Sequence, residues 1–209
     1  MADRPIIFSG PMVRALLEGR KTQTRRVLKP QPEVHPDGCW SWKARNGAFC
    51  GASGTRISGF AESARFHCRI QPGDRLWVRE AFSYDRLDVD RDGTLPPWYW
   101  ADGNPEYGDW SKPKPSIHMP RWASRLTLIV TDVRVQRLQD ISEADAMAEG
   151  AEPILLPSDG GSAPHVEGVR QIWDSLNAKR GFGWDDNPWI VALTFDVIKA
   201  NIDTLKEAA

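Results

Sequence analysis

RLTLIVTDVRVQRL, residues 125–138, is the stretch on which the reading of the fold turns. Val130, Val133 and Val135 are among its β-branched residues and predict a long strand, with Asp132 expected to mark a bend or bulge. On its C-terminal side SEADAMAEG has a helix start and stop: Ser142 caps, Asp145 completes a capping box and Gly150 ends the helix. A polar Gly/Ser/Pro loop, 157–164, leads to VRQIWDSLNAKRG, where Val169, Ile172, Trp173 and Leu176 share a helical face. WIVALTFDVI, 189–198, reads as a buried strand, and 199–209 as a frayed tail.

On the N-terminal side QPGDRLWVREAF supplies a turn at 72–74. A strand follows, with Leu76 and Val78 on one face and Trp77 and Arg79 on the other. Ile6, Ile7 and Phe8 form a short buried strand. Pro11 suits a first helical turn, Met12, Val13, Leu16 and Leu17 recur at helical spacing, and Gly19 stops the helix. Residues 22–28 read as a strand, which puts Lys21 in the tight connection before it. Residues 30–72 read as an insertion or long loop with a hairpin around Trp40, Trp42 and Phe49, and 85–121 as a second irregular stretch. Several strands with three short helices between them predict an α+β fold. Its expected form is one domain, a small, strongly curved sheet or β-barrel with helices packed at its ends.

A hydrophobic fraction of 41% and a charged fraction of 26% are those of an ordinary globular protein, and no apolar run has the length of a membrane span. The start, MADRPIIF, lacks a secretory apolar stretch, and three cysteines without CxxC spacing are expected to be reduced; both point to the cytoplasm. A net charge of −1 argues against coating nucleic acid through bulk electrostatics and leaves room for a local basic patch.

That patch is GRKTQTRR, residues 19–26, followed by Lys29. It is open to two readings: a solvated basic turn whose threonines favour a strand, or the wall of a ligand site. Amide hydrolysis needs a nucleophile, a group to take its proton and a donor for the leaving amine. Thr24 could be the nucleophile, Lys21 its base beside the cations Arg20, Arg25 and Arg26, and a carboxylic acid the donor.

GRKTQTRR, PGDRLWVRE, LTLIVTDVRVQRL with its following helix, and WIVALTFDVI occur in the order of an ASCH domain of the PUA-like superfamily, which the chain resembles. SIHMPRWASR and LQDISEADAMAEG resemble segments of phage- and prophage-encoded ASCH-like proteins. The resemblance implies a PUA-like β-barrel spanning residues 1–198, with insertions at about 31–70 and 83–122 and a cleft for RNA or a modified nucleoside. One bacterial branch of the family hydrolyses the amide of N4-acetylcytidine. By motif position its catalytic groups become Lys21, Thr24 and Glu149, with Glu143 as the fallback acid. No metal or other cofactor is implied, and no protein partner. A non-catalytic RNA-binding module and a ribonuclease are the alternatives.

Arg20, Arg25, Arg26, Arg79, Glu80 and His118 are candidate substrate-binding residues. For Arg79 and Glu80 the competing reading is a pair of strand-face ion pairs, and for His118 a hydrogen-bonded structural histidine. Ten tryptophans are many for this length. Trp40, Trp42, Trp98, Trp100 and Trp110 could stack bases or give the insertions a local core. His35, Cys39, Cys50, His67 and Cys68 have donor atoms for zinc, but their spacing matches no common finger.

Overall fold

The structure, a computed structural model of the chain, describes residues 1–34, 40–43, 49–52, 58–85, 96–155 and 163–205. Its elements in chain order are β1 (Asp3–Ile7), α1 (Gly10–Leu17), β2 (Gln23–Val27), β3 (Glu33–Val34), β4 (Trp40–Lys43), β5 (Phe49–Ala52) and α2 (Ser58–Phe66). There follow β6 (Arg75–Arg79), β7 (Phe82–Ser83), β8 (Trp98–Tyr99), β9 (Thr127–Arg137), α3 (Glu143–Ala148), α4 (Pro164–Asn177) and β10 (Trp189–Ile198). The fold is mixed α+β.

The described strands form a five-stranded sheet in the order β1-β6-β9-β10-β2, a three-stranded sheet β3-β4-β5 and a β7-β8 pair. No closed barrel occurs among the described residues, which corrects the expectation of one. The physical reason is visible at β2. Its inner edge pairs antiparallel with β10, Arg25 opposite Ala192. Its outer side is taken by the end of α3: Thr22 N–H donates to the Ala148 carbonyl at 2.8 Å and Arg25 N–H to Glu149 Oε1 at 3.0 Å. Thr22 lies just before β2 and Arg25 within it, so the helix end occupies part of the edge that a closing neighbour would need.

By contacts the chain divides into two compact units, Met1–Lys21, Gly73–Val130 and Phe195–Ala209 in the first, Thr22–Pro72 and Thr131–Thr194 in the second. In the first, β1 runs parallel to β6, Asp3 opposite Arg75, and β6 runs antiparallel to the start of β9. Asp3 holds the Arg75 guanidinium through both carboxylate oxygens, at 2.7 and 2.8 Å. Phe82, Met119 and Ala123 make a core cluster with Tyr84 and Tyr99 against it. Trp98 and Trp110 lie with ring centroids 5.7 Å apart, and Trp100 Nε1 donates to Ser83 Oγ. These three tryptophans thus have partners within the insertion.

In the second unit β4 and β5 form the expected hairpin, Trp42 opposite Cys50. The stretch read as loop also contains α2, whose Phe60 and Ala64 pack with Leu28, Trp42, Val135 and Trp189. α3 starts as expected, Ser142 Oγ accepting from Asp145 N–H at 3.1 Å, and is followed by Gly150 at φ +76°. The reciprocal half of the capping box is replaced, because the Asp145 carboxylate turns to Arg134. α4 buries Val169 and Trp173 but leaves Ile172 and Leu176 exposed, so the buried face is narrower than the stripe. Within β9, Asp132 faces solvent and pairs with Arg65 and Arg134.

Candidate functional site

The geometry begins at β2. Alternation along a strand sends Thr24 and Arg25 to opposite sides, yet both are buried, at 2% and 4% exposure. Arg25 is covered because α3 lies over that side. Its Nη1 donates to Glu149 Oε2 at 3.2 Å, and its Nη2 lies 3.4 Å from Asp145 Oδ2. Asp145 accepts from Arg134 Nη2 at 3.0 Å, and the same nitrogen reaches Gln23 Oε1 at 3.4 Å. Two acids of α3 and its cap therefore alternate with two arginines of the sheet. Each charge is compensated, as burial requires.

These contacts set the local electrostatics. Burial pulls the Arg25 pKa below the usual arginine value, opposed by Glu149 and Asp145. For Asp145 burial alone would raise the pKa. The Arg134 and Gln23 hydrogen bonds and the nearby arginine charges outweigh that and hold it at about 2.

Glu149 is the C-terminal cap of α3, with φ −68° and ψ −14°. Its Oε1 sits on the backbone N–H next to Thr24, across 124 residues of sequence. Glu143, the alternative acid, is engaged elsewhere. It accepts from the backbone N–H groups of His165 and Val166 at the start of α4, and its Oε1 lies 2.7 Å from His165 Nδ1.

Lys21, in the first unit, has no exposed surface. Its backbone N–H donates to Ala15 O at 3.1 Å, and its Nζ lies 5.5 Å from the centroid of the Phe8 ring. Gly19, at φ +76°, makes the turn that lets the chain double back after α1. Arg20 is exposed and bonded to Glu18, and Arg26 is exposed on β2.

Arg79 and Glu80 leave β6 in opposite senses. The Arg79 guanidinium lies over the Trp77 ring, 5.2 Å from its centroid, and donates to the Ile117 carbonyl. Glu80, 1% exposed, receives Arg125 through both oxygens at 2.9 and 3.0 Å. Arg125 also grips Asp102 at 2.6 and 2.8 Å and stacks 4.0 Å from the Tyr99 ring centroid. Burial pushes the Glu80 carboxyl up in spite of Arg125. His118 is exposed in a 3-10 turn.

Sequence reasoning missed Asp145, Arg134 and Gln23 as neighbours of the candidate acid. The usable signal was the i, i+4 spacing of Asp145 and Glu149, which sets two carboxylates on one side of a helix. No group of three or more His, Cys, Asp or Glu able to hold a metal occurs among the described residues. His35 and Cys39 of the zinc candidates lie outside those residues, as does the side chain of Cys50. Burial raises the Cys68 thiol to about 11. No described helix is long and apolar enough to cross a membrane.

No family model matches the chain, and no curated protein does. Two solved structures resemble it. An ASCH domain from Lactobacillus crispatus JV V101 is 14% identical at a TM-score of 0.43, the match covering 94% of this chain and 79% of that one. A protein from Enterococcus faecalis V583 described by the family model DUF984 is 12% identical at a TM-score of 0.43, covering 99% and 86%.

Proposed function

We propose that the chain recognises RNA or a modified nucleoside and hydrolyses an N4-acylcytidine-type amide with Lys21, Thr24 and Glu149. The observation that carries the reading is the Glu149 carboxylate on the backbone N–H of Arg25, one residue from the proposed nucleophile. The complete burial of Lys21 supports it, because a lysine held away from water is suited to act as a base.

In the proposed reaction the Lys21 amine, acting as base, takes the proton of Thr24 Oγ as that oxygen bonds to the amide carbon. The C–N bond then breaks, the proton passes from Lys21 to the departing nitrogen, and cytidine leaves an acyl ester on Thr24. Water hydrolyses the ester, freeing the carboxylic acid and restoring the hydroxyl. Glu149 accepts two N–H donors from Arg25, and its part in the proposed reaction is that of an acceptor that orients the exocyclic nitrogen rather than the source of the first proton. Arg20, exposed, is suited to phosphates if the base belongs to a strand.

Incubation with N4-acetylcytidine and, separately, with end-labelled RNA tests the reading. Cytidine release that is abolished by Thr24→Ala and by Lys21→Ala supports hydrolysis. Retention of intact RNA with no turnover of either substrate favours a binding module, and shortened RNA favours a nuclease.

A further inference from the structure

Arg25 carries a charge where a substrate-binding arginine is least expected. Its side chain has no exposed surface, and its contacts are made inward: Nη1 to Glu149, Nη2 towards Asp145. Its Nε and Nη2 have no hydrogen-bond partner among the described residues, and burial closes them to a ligand arriving from water. Asp145 is in turn braced by Arg134. The carboxylate of Glu149 is thereby gripped twice by one residue, from the Arg25 backbone and from its guanidinium. A glutamate at a helix end, with three rotatable side-chain bonds, would otherwise sample many positions.

We infer that Arg25 is a positioning residue: backed by Asp145 and Arg134, it fixes the Glu149 carboxylate at the edge of β2, on the peptide N–H that joins Thr24 to Arg25, and does not itself touch the substrate. This rests on the hydrolase reading for its catalytic consequence but not for the grip itself. The grip joins β2 to α3 across 124 residues.

The test separates kcat from KM for cytidine release. Arg25→Met should lower kcat about a hundredfold, the cost of a catalytic group out of place, and leave KM within about threefold. Arg25→Lys, which keeps the charge but loses the planar fork, should recover part of the loss, and Arg134→Met should lower kcat less and in the same direction. A rise in KM at unchanged kcat for Arg25→Lys or Arg25→Met would make Arg25 a substrate contact and overturn the inference. If Arg25→Met does not fold, the Arg25→Lys and Arg134→Met kinetics decide in its place. A wild-type protein that releases no cytidine sinks the hydrolase reading alone. The grip is then judged by melting of Arg25→Lys, Glu149→Gln and the double variant: Tm losses that fail to add support it, and additive losses overturn it.

Discussion

The ring of Phe60 stands 4.7 Å from that of Trp189, nearly perpendicular to it at 73°. On its other side it meets Trp42 edge-on at 5.6 Å. A residue from a segment read as loop is thus the centre of an aromatic cluster that includes β10. Phe60→Ala should destabilise the protein by about 3–5 kcal/mol, measured by urea denaturation. A loss below about 1 kcal/mol would mean that α2 contributes no core.

Gly168 sits in the second turn of α4 against the backbone of the segment after α3. A Cβ there would fall 2.1 Å from the Glu152 carbonyl oxygen, which belongs to backbone and cannot swing aside. Gly168→Ala should therefore lower stability by about 1–3 kcal/mol despite alanine's better helix propensity. A gain in Tm would contradict the close approach.

Acid should loosen α3 through Asp145. Its carboxyl is held at about 2 in the folded chain, below the ordinary 3.8, so its contribution is fully present above about pH 4 and drains away as pH falls through 2. The amount is on the order of 1 kcal/mol once solvent screening of half-exposed Arg134 is allowed for. Asp145→Asn should flatten this limb of the stability curve between pH 4 and 2, and an unchanged slope would remove Asp145 from the network.

Truncating Arg125 strands Glu80, a carboxylate with 1% exposure. Arg125→Met should cost about 3 kcal/mol, and the double change Arg125→Met with Glu80→Gln should recover part of it, because the neutral amide no longer needs a counter-charge. Equal losses in the single and double variants would show that Arg125 acts through its stacking on Tyr99 rather than through its charge.

Much of the framework was legible because it is local. Ser142 and Gly150 mark the ends of α3 by chemistry within their own turns, and Pro11 and Gly19 do the same for α1. The long β9 and β10 declare themselves through β-branched and aromatic runs. α2 did not, since Ser58–Phe66 lies among Gly, Ser and Arg and owes its helix to Phe60 and Ala64 packing on a distant strand. On α4 the periodicity of Ile172 and Leu176 is genuine, but periodicity does not say how wide a face the neighbours will cover. The barrel expectation failed for a related reason: pairing of strands is a question about unfilled hydrogen bonds, and the group that takes the Arg25 N–H lies 124 residues away.

For the candidate site, the motif supplied Lys21 and Thr24 as near neighbours and the helix supplied two possible acids. Their spacing could not choose between Glu143 and Glu149. In the structure Glu143 holds the start of α4 and Glu149 bonds the strand that carries Thr24.

The capture of Thr22 and Arg25 amides by α3 also bears on behaviour in a crowded solution. Border strands with vacant amides recruit extended peptides from other molecules and so seed aggregates. Here a helix end acts as a stopper, and loosening α3 would uncover an adhesive margin as well as shift one acid.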